Sequence, residues 1–552
     1  MSRHGRFWPA GVPRTVSGAP PTLTEALRRS AARRPAHLAL AFYGQEICYA
    51  ELLARVERLA AFLQHRLGVA KGERVLLDMQ NSPHFVIGYH AILRAGGVVV
   101  PVSPMSVTEE IAYCAEDSGA RVGLAGAELL ARFAPLLPGR LAHLVLAPYA
   151  EELPRPAPFR LPAVMAESVL PTELPQGCIA WRDALTEAAP PLVDDTGSDD
   201  LCVMPYTSGT TGRPKACMHP HSNAVFTAAA QAAWYGFGDD TVISGFMPLF
   251  HVAGMQVSMN GGIVSGASVV LMARWDRDLV ASLLERYGVT LWSAAPTMVV
   301  DVLNAPDFRA EAFAKLRTLT GGGASMPAAV AEELERRWGL RFVEGYGLSE
   351  AIAATHLNPL ERPKPQCLGI PIQQTESRVI DPDTLAELPP GEVGEIIIAG
   401  PQIMRGYWKR PEATAEAFIA RDGKRFLRTG DLGRMDDEGY FFIVDRLKRM
   451  VSVSGYKVWP AEVEALLYRH PEVKECCVIA APDAHSGEQV TALVVRRQGS
   501  GLTEAALIAW ARQAMAVYKA PRRVAFVESL PRSASNKIDW RRLQDAEWAK
   551  AR

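Results

Sequence analysis

Short apolar runs that read as strands alternate with segments of helical periodicity through most of this 552-residue chain, and the alternation restricts the fold more than any single residue does. The clearest helix lies between Tyr49 and Leu67, where Leu52, Val56, Leu59 and Leu63 recur on one helical face and Gly68 closes the segment. The runs RVLLD from Arg74, VVVPV from Val98 and RVGLA from Arg121 read as strands, as do SVVLM from Ser268 and VTLWS from Val289 after Gly266. Helices recurring between strands produce parallel sheets covered on both faces, so the large N-terminal part is predicted to consist of α/β subdomains. Between about Pro148 and Asp195 prolines cluster with charges and periodicity fades, which predicts an irregular surface excursion rather than a core element. Beyond VDRLKR, Val444 to Arg449, three apolar runs and two helices predict a small α+β unit of about a hundred residues. The boundary, with a hinge, is set at Lys448, giving domains 1–447 and 448–552.

Composition excludes several functions. With 59 basic and 60 acidic side chains the net charge is -1, so no overall basic field exists to hold nucleic acid. A hydrophobic share of 48% fits a globular enzyme of small molecules. The eight cysteines (Cys48, Cys114, Cys178, Cys202, Cys217, Cys367, Cys476 and Cys477) include no C-x-x-C, which predicts reduced, packed thiols in a cytoplasmic protein rather than sulfur ligands for a metal. No apolar run approaches the roughly 18 residues of a bilayer span, so no transmembrane segment is expected. Peripheral membrane contact and a homodimer stay open.

The string YTSGTTGRPK, Tyr206 to Lys215, is the strongest chemical signal. Gly209 and Gly212 let successive backbone N–H groups turn inward, Thr207, Ser208, Thr210 and Thr211 add hydroxyl donors, and Lys215 adds a cation. Such a loop suits polyphosphate. The Walker loop is a different object, since Lys215 is followed by Ala216 and the glycine spacing does not fit. Solvated turns often share this composition, but an ordered string of ten residues is more specific than composition.

Four further strings follow in order: GGGASM at Gly321, EGYGLSE at Glu344, RTGD at Arg428 and PRSASNKIDW at Pro531. Over nearly its whole length the chain therefore resembles the adenylate-forming superfamily of acyl-CoA synthetases, luciferases and peptide-synthetase adenylation domains. The resemblance implies a two-step reaction: a carboxylate attacks the α-phosphate of Mg-ATP to give acyl-adenylate, and the thiol of coenzyme A then displaces AMP. Splitting one hard displacement into two easier ones is the purpose of adenylation.

The resemblance also assigns residues. Glu350, with Thr210, is implied as the Mg2+ contact. Gly323, Ala324, Glu344, Gly345, Tyr346, Gly347 and Ser349 are implied to form the AMP site, Tyr346 offering its aromatic face to adenine. Asp431 would accept from the ribose hydroxyls, with Arg446 reaching ribose or phosphate. Lys537 would neutralise charge developing during adenylation, although Asn536 stands where the family usually has glycine. The C-terminal domain would alternate between two arrangements about Lys448, bringing Gly455 and Tyr456 to the coenzyme A tunnel. Lys457, equally readable as the basic flank of an exposed loop, falls at an AMP-contact position. His251 in PLFHVAG is implied as a gate and orienting residue beside the carboxylate.

The implied acyl pocket takes Met255 and Met259, Ala295 and Thr297, Gly321 and Gly322, and Ile352. All are apolar or small apart from one threonine, and an amino-acid substrate would find no counter-charge there for its ammonium. A medium- or long-chain fatty acid is the expected substrate, an aryl acid of the coumarate or benzoate kind the alternative. A non-catalytic sensor of AMP or acyl-CoA would predict eroded motifs, and they are intact.

Overall fold

The computed structural model describes residues 3–207, 213–305, 308–453, 456–483, 487–532 and 538–550. The chain packs as two compact units, Met1–Glu376 with Ala399–Leu427, and Ser377–Ile398 with Arg428–Arg552. Lys448, set from the sequence as the boundary, lies inside the second of these units. The backbone there is a single tight turn, Leu447–Arg449, between the strands Phe441–Arg446 and Val451–Val453.

The first unit contains two large, mostly parallel sheets. In the nine-stranded sheet the order is Ile370–Pro371, Ala353–Leu357, Phe342–Leu348, Thr318–Gly322, Leu291–Ala294, Val242–Gly245, Ser268–Leu271, Leu38–Phe42 and Gln45–Cys48. The pairs from Phe342–Leu348 through Leu38–Phe42 are parallel, and Ile370–Pro371, Ala353–Leu357 and Gln45–Cys48 are joined antiparallel at the two ends. In the seven-stranded sheet the order is His219–Pro220, Leu201–Val203, Val98–Pro101, Arg74–Asp78, Val122–Gly126, His143–Ala147 and Cys178–Ala180. All five runs read from the sequence are strands of these sheets. They are recognisable because parallel strands buried on both faces become continuous apolar runs, as Val98–Pro101 and Leu291–Ala294 are. The helix Tyr49–His65 buries Leu52, Val56, Leu59 and Leu63 as its periodicity requires.

The stretch from 148 to 195 departs from the expectation. Cys178–Ala180 extends the seven-stranded sheet in parallel, and Tyr149, Leu153, Val164, Met165, Trp181 and Ala184 are buried. Elements of three to five residues, such as Ala163–Glu167 and Trp181–Ala184, are too short to display a period, so they stay hidden among the prolines.

In the second unit, Tyr456–Val458, Val451–Val453, Gly487–Arg496 and Val473–Asp483 lie in that order, with Arg523–Phe526 parallel to Gly487–Arg496. The helices Pro460–Leu467, Glu504–Ala514 and Trp540–Lys550 complete an α+β arrangement. Cys476 and Cys477 sit on one strand and enter two different apolar clusters, as side chains that alternate across a strand must. All eight cysteines are free. Among the described residues no helix is long and apolar enough to cross a membrane.

Candidate active site

Three parallel strands of the nine-stranded sheet end side by side, with Ala294 level with Gly321 and Gly321 level with Glu344. Their carboxyl ends bring Ala295, Gly321 to Ala324 and Glu344 to Gly347 to one edge, the place where open α/β sheets take ligands. The glycines are required first by the strands themselves. A Cβ on Gly321 would lie 1.8 Å from the Ala294 carbonyl oxygen, and one on Gly347 1.8 Å from that of Ala353. Glu344 is buried, and its carboxylate accepts from the backbone N–H groups of Gln366 at 3.0 Å and Met326 at 3.4 Å. It thereby braces the turn that follows Gly323 and Ala324, and burial pushes it up to about 7. The buried Tyr346 ring lies 5.7 Å from His356, its partner on the neighbouring strand.

His251 is half-buried, and its Nδ1 accepts from the Ala253 N–H at 3.3 Å, which leaves Nε2 to carry the proton of the neutral ring. A π-helical turn, Gly254–Asn260, follows, a widened geometry that recurs at functional sites. Its first residue must be glycine, because a Cβ on Gly254 would lie 2.4 Å from the Pro248 carbonyl oxygen. The turn buries Met255 and Met259 completely, and Ile352 is equally buried. Ala295 is half-buried, whereas Thr297 is exposed in the first turn of the helix Pro296–Leu303.

The string from Tyr206 to Lys215 is held at both ends. Tyr206–Thr207 pairs antiparallel with Lys215–Ala216, setting Lys215 opposite Thr207. Tyr206 donates to Asp117 Oδ2 at 2.9 Å, and Arg410 donates to Asp117 Oδ1 at 2.6 Å. The Asp117 carbonyl accepts from Trp408 Nε1 at 3.0 Å and Lys409 Nζ at 3.1 Å. One turn earlier on the same helix, Thr108–Ser118, Tyr113 donates to the Pro214 carbonyl at 2.7 Å. A single helix thus fixes the strand that enters the loop and the residue that precedes Lys215.

Glu350 is reached from the other side. Its backbone carbonyl accepts from Met404 N–H at 2.8 Å, and its Oε1 accepts from the Tyr407 hydroxyl at 2.9 Å. His219 Nε2 donates to the adjacent Ser349 carbonyl at 2.7 Å. Just beyond, Ile352 and Ala353 have φ of 43° and 97°, left-handed backbone that a β-branched residue rarely adopts. Such residues cost about 1–3 kcal/mol each and collect where surrounding structure over-determines the chain. Mg2+ fits these residues: a hard ion that keeps water and phosphate oxygens needs only one or two carboxylates, and Glu350 presents one in a fixed setting. Among the described residues no group of three or more His, Cys, Asp or Glu side chains gathers to hold a metal alone.

The second unit holds its own part of the predicted set. Asp431 and Arg446 face each other across antiparallel strands, with Arg446 Nε 2.9 Å from Asp431 Oδ1. The RTGD turn is built on Glu395, whose buried carboxylate takes Arg428 at 2.5 Å and the Gly430 N–H at 3.0 Å. Beside the Lys448 turn, Arg449 is clasped between Asp445 and Glu464. Lys448, Tyr456 and Lys457 are placed by their backbone alone. Ser208, Gly209, Thr210, Thr211, Gly212, Gly455 and Lys537 lie outside the described residues.

Sequence reasoning missed Tyr407, Asp117, Arg410 and Glu395. None belongs to the strings that carry the resemblance, and each acts through a contact distant in sequence.

The family model described as AMP-binding enzyme matches residues 27–408, and that of the AMP-binding enzyme C-terminal domain matches residues 462–537. The chain is 34% identical over 549 residues to the long-chain-fatty-acid–CoA ligase of Bacillus subtilis (strain 168), covering 98% of this chain and 97% of that one. It is 36% identical over 514 residues to feruloyl-CoA synthase of an Amycolatopsis species, covering 92% and 96%. The crystal structure of ATP-bound MatB from Rhodopseudomonas palustris matches with a TM-score of 0.81 at 29% identity, over 95% of this chain and 98% of that one. With family models on both parts of the chain and relatives matched over nearly its whole length, this protein belongs to the AMP-binding enzymes and is an adenylate-forming acid–thiol ligase that uses ATP, Mg2+ and coenzyme A.

Proposed function

We propose that the acid is a medium- or long-chain fatty acid. The observation that carries this reading is the π-helical turn after His251, which buries Met255 and Met259 completely and adds no charged side chain, while Ile352 is buried to the same degree. Flexible, apolar side chains suit an alkyl chain. In the first step a carboxylate oxygen bonds to the α-phosphorus and the bond to pyrophosphate breaks. In the second the coenzyme A sulfur bonds to the acyl carbon and the bond to AMP breaks.

In this reading the loop from Thr207 to Lys215 takes the β- and γ-phosphates, and Glu350 with Thr210 takes Mg2+, whose charge offsets that of the phosphates. Tyr346 and the strand ends around Gly323 and Ala324 take adenine, and Asp431 with Arg446 takes the ribose. His251 orients the carboxylate. Lys537, carried by residues 448–552, stabilises the charge of the adenylation step. Lys448 is the hinge, Gly455 and Tyr456 line the coenzyme A path, and Lys457 meets AMP. Eight free thiols, most of them buried, suit a reducing cytoplasm.

The 36% identity to a feruloyl-CoA synthase favours a second reading, an aryl acid in the same pocket. The test is mass-spectrometric detection of acyl-AMP and acyl-CoA from purified protein, Mg-ATP, coenzyme A and a panel of alkanoic, aryl and amino acids. Thioesters of alkanoic acids are expected. Thioesters of aryl acids alone would replace the first reading with the second, and adenylate that never becomes thioester would move the acceptor from coenzyme A to a carrier protein.

A further inference from the structure

The segment Met404–Trp408 runs antiparallel beside Ala216–Met218. Arg405 N–H donates to Met218 O, Met218 N–H to Gly406 O and Trp408 N–H to Ala216 O, each at 2.9 Å, with Cys217 directly opposite Tyr407. Lys215 lies two residues from Cys217, on the same side of its strand and diagonal to Tyr407, within reach of an aromatic ring. The Lys215 ammonium is 5.1 Å from the centroid of that ring. The hydroxyl of the same ring donates to Glu350 Oε1 at 2.9 Å. Thr414 Oγ1 fixes the backbone of Tyr407 by accepting its N–H at 2.9 Å and in turn donates to the Arg410 carbonyl at 2.8 Å.

We propose that Tyr407 is a positioning residue that joins the lysine at the end of the phosphate loop to the metal-binding glutamate, so that phosphate and Mg2+ meet a single prearranged frame. The inference rests on the assignment of Lys215 to phosphate and Glu350 to metal. By donating to Oε1, the Tyr407 hydroxyl fixes the rotation of the carboxylate that is to meet the ion. By facing Lys215, the ring fixes where the ammonium waits before phosphate arrives. The two functions separate chemically, because phenylalanine keeps the ring and loses only the hydroxyl.

The test measures binding rather than turnover. Mn2+ binding is followed by electron paramagnetic resonance in the presence of α,β-methylene-ATP, and binding of the same analogue in EDTA is followed by calorimetry. Tyr407→Phe is expected to weaken Mn2+ roughly tenfold, as the loss of a hydrogen bond to a charged group would, and to leave metal-free analogue affinity within about twofold. Tyr407→Leu is expected to weaken metal-free analogue binding as well, roughly threefold, through loss of the cation–ring contact. A Tyr407→Phe protein that melts like wild type and binds Mn2+ as tightly would overturn the proposal. Equal weakening of metal and metal-free nucleotide by Tyr407→Phe would also overturn it, since that is the mark of a merely structural tyrosine. Wild-type protein that binds no analogue would remove the ATP assignment itself, a failure visible before any variant is made.

Discussion

At the carboxyl edge of the nine-stranded sheet, Gly321 to Ala324, Gly345 and Gly347 leave small residues at half-exposed or exposed positions beside the buried Glu344 and Tyr346, whereas at the equivalent edge of the seven-stranded sheet Asp78 and Glu128 fill the space. The strand Arg74–Asp78 has Val98–Pro101 on one side and Val122–Gly126 on the other, so the winding reverses there and a ligand crevice would be expected. Asp78 fills the position instead. It is fully buried, and neither carboxyl oxygen has a hydrogen-bond partner among the described residues. Nearby, Tyr149 donates to Glu128 at 3.0 Å and accepts from the Gln80 N–H at 2.9 Å. A Cβ on Gly126 would sit 2.1 Å from the Tyr149 hydroxyl, so the space is occupied. Two edges of the same kind therefore differ in use: topology offers a crevice, and the side chains at the strand ends decide whether a substrate can enter.

The sharpest way to break this contrast is at Glu350. Glu350→Gln is expected to lower the rate of adenylation by roughly 10²–10³-fold, measured as pyrophosphate release, with little change in the melting temperature. Gly321→Ala places a methyl group against the Ala294 carbonyl and should cost about 3 kcal/mol of stability, read from the urea midpoint, together with ATP binding. At the closed edge the expected effects concern stability alone.

Burial, reinforced by Glu128 and opposed by Arg132, pushes the Asp78 carboxyl up to about 8 from 3.8. Between those values the unfolded chain gives up a proton that the folded chain keeps, so the contribution of Asp78 to stability falls as pH rises through that window and is flat above it. Asp78→Asn removes the slope, and should gain about 3–4 kcal/mol over wild type on going from pH 5 to pH 8 in urea titrations. Adenylation should stay within about twofold; a loss comparable to that of Glu350→Gln would make the second edge a site after all. Tyr149→Phe leaves the Gln80 N–H without its acceptor and should cost about 1 kcal/mol, the smallest of these effects, with ATP affinity unchanged in calorimetry.

Legibility in the sequence followed the range of the interactions. Arg74–Asp78, Val98–Pro101 and Leu291–Ala294 were readable because burial on both faces writes itself into consecutive residues. Cys178–Ala180 was not, since three residues carry no period. Of the site, the strings around Tyr206, Glu344 and Asp431 were visible as ordered motifs. The residues that orient them were invisible: Tyr407 lies 57 positions from Glu350 and Arg410 lies 293 from Asp117, separations that no local pattern records. Glu395 shows the same limit, because a glutamate in an apolar strand gives no sign of the turn it will hold together.

The left-handed backbone at Ile352 and Ala353 bears on how the enzyme would lose function on warming. Residues held against their own conformational preference are released at a smaller free-energy cost than a relaxed core, and this pair follows Glu350 with Ala351 between. The catalytic edge would then come apart while both sheets remain intact, and inactivation by heat would be reversible over an interval of temperature below the one at which the fold is lost.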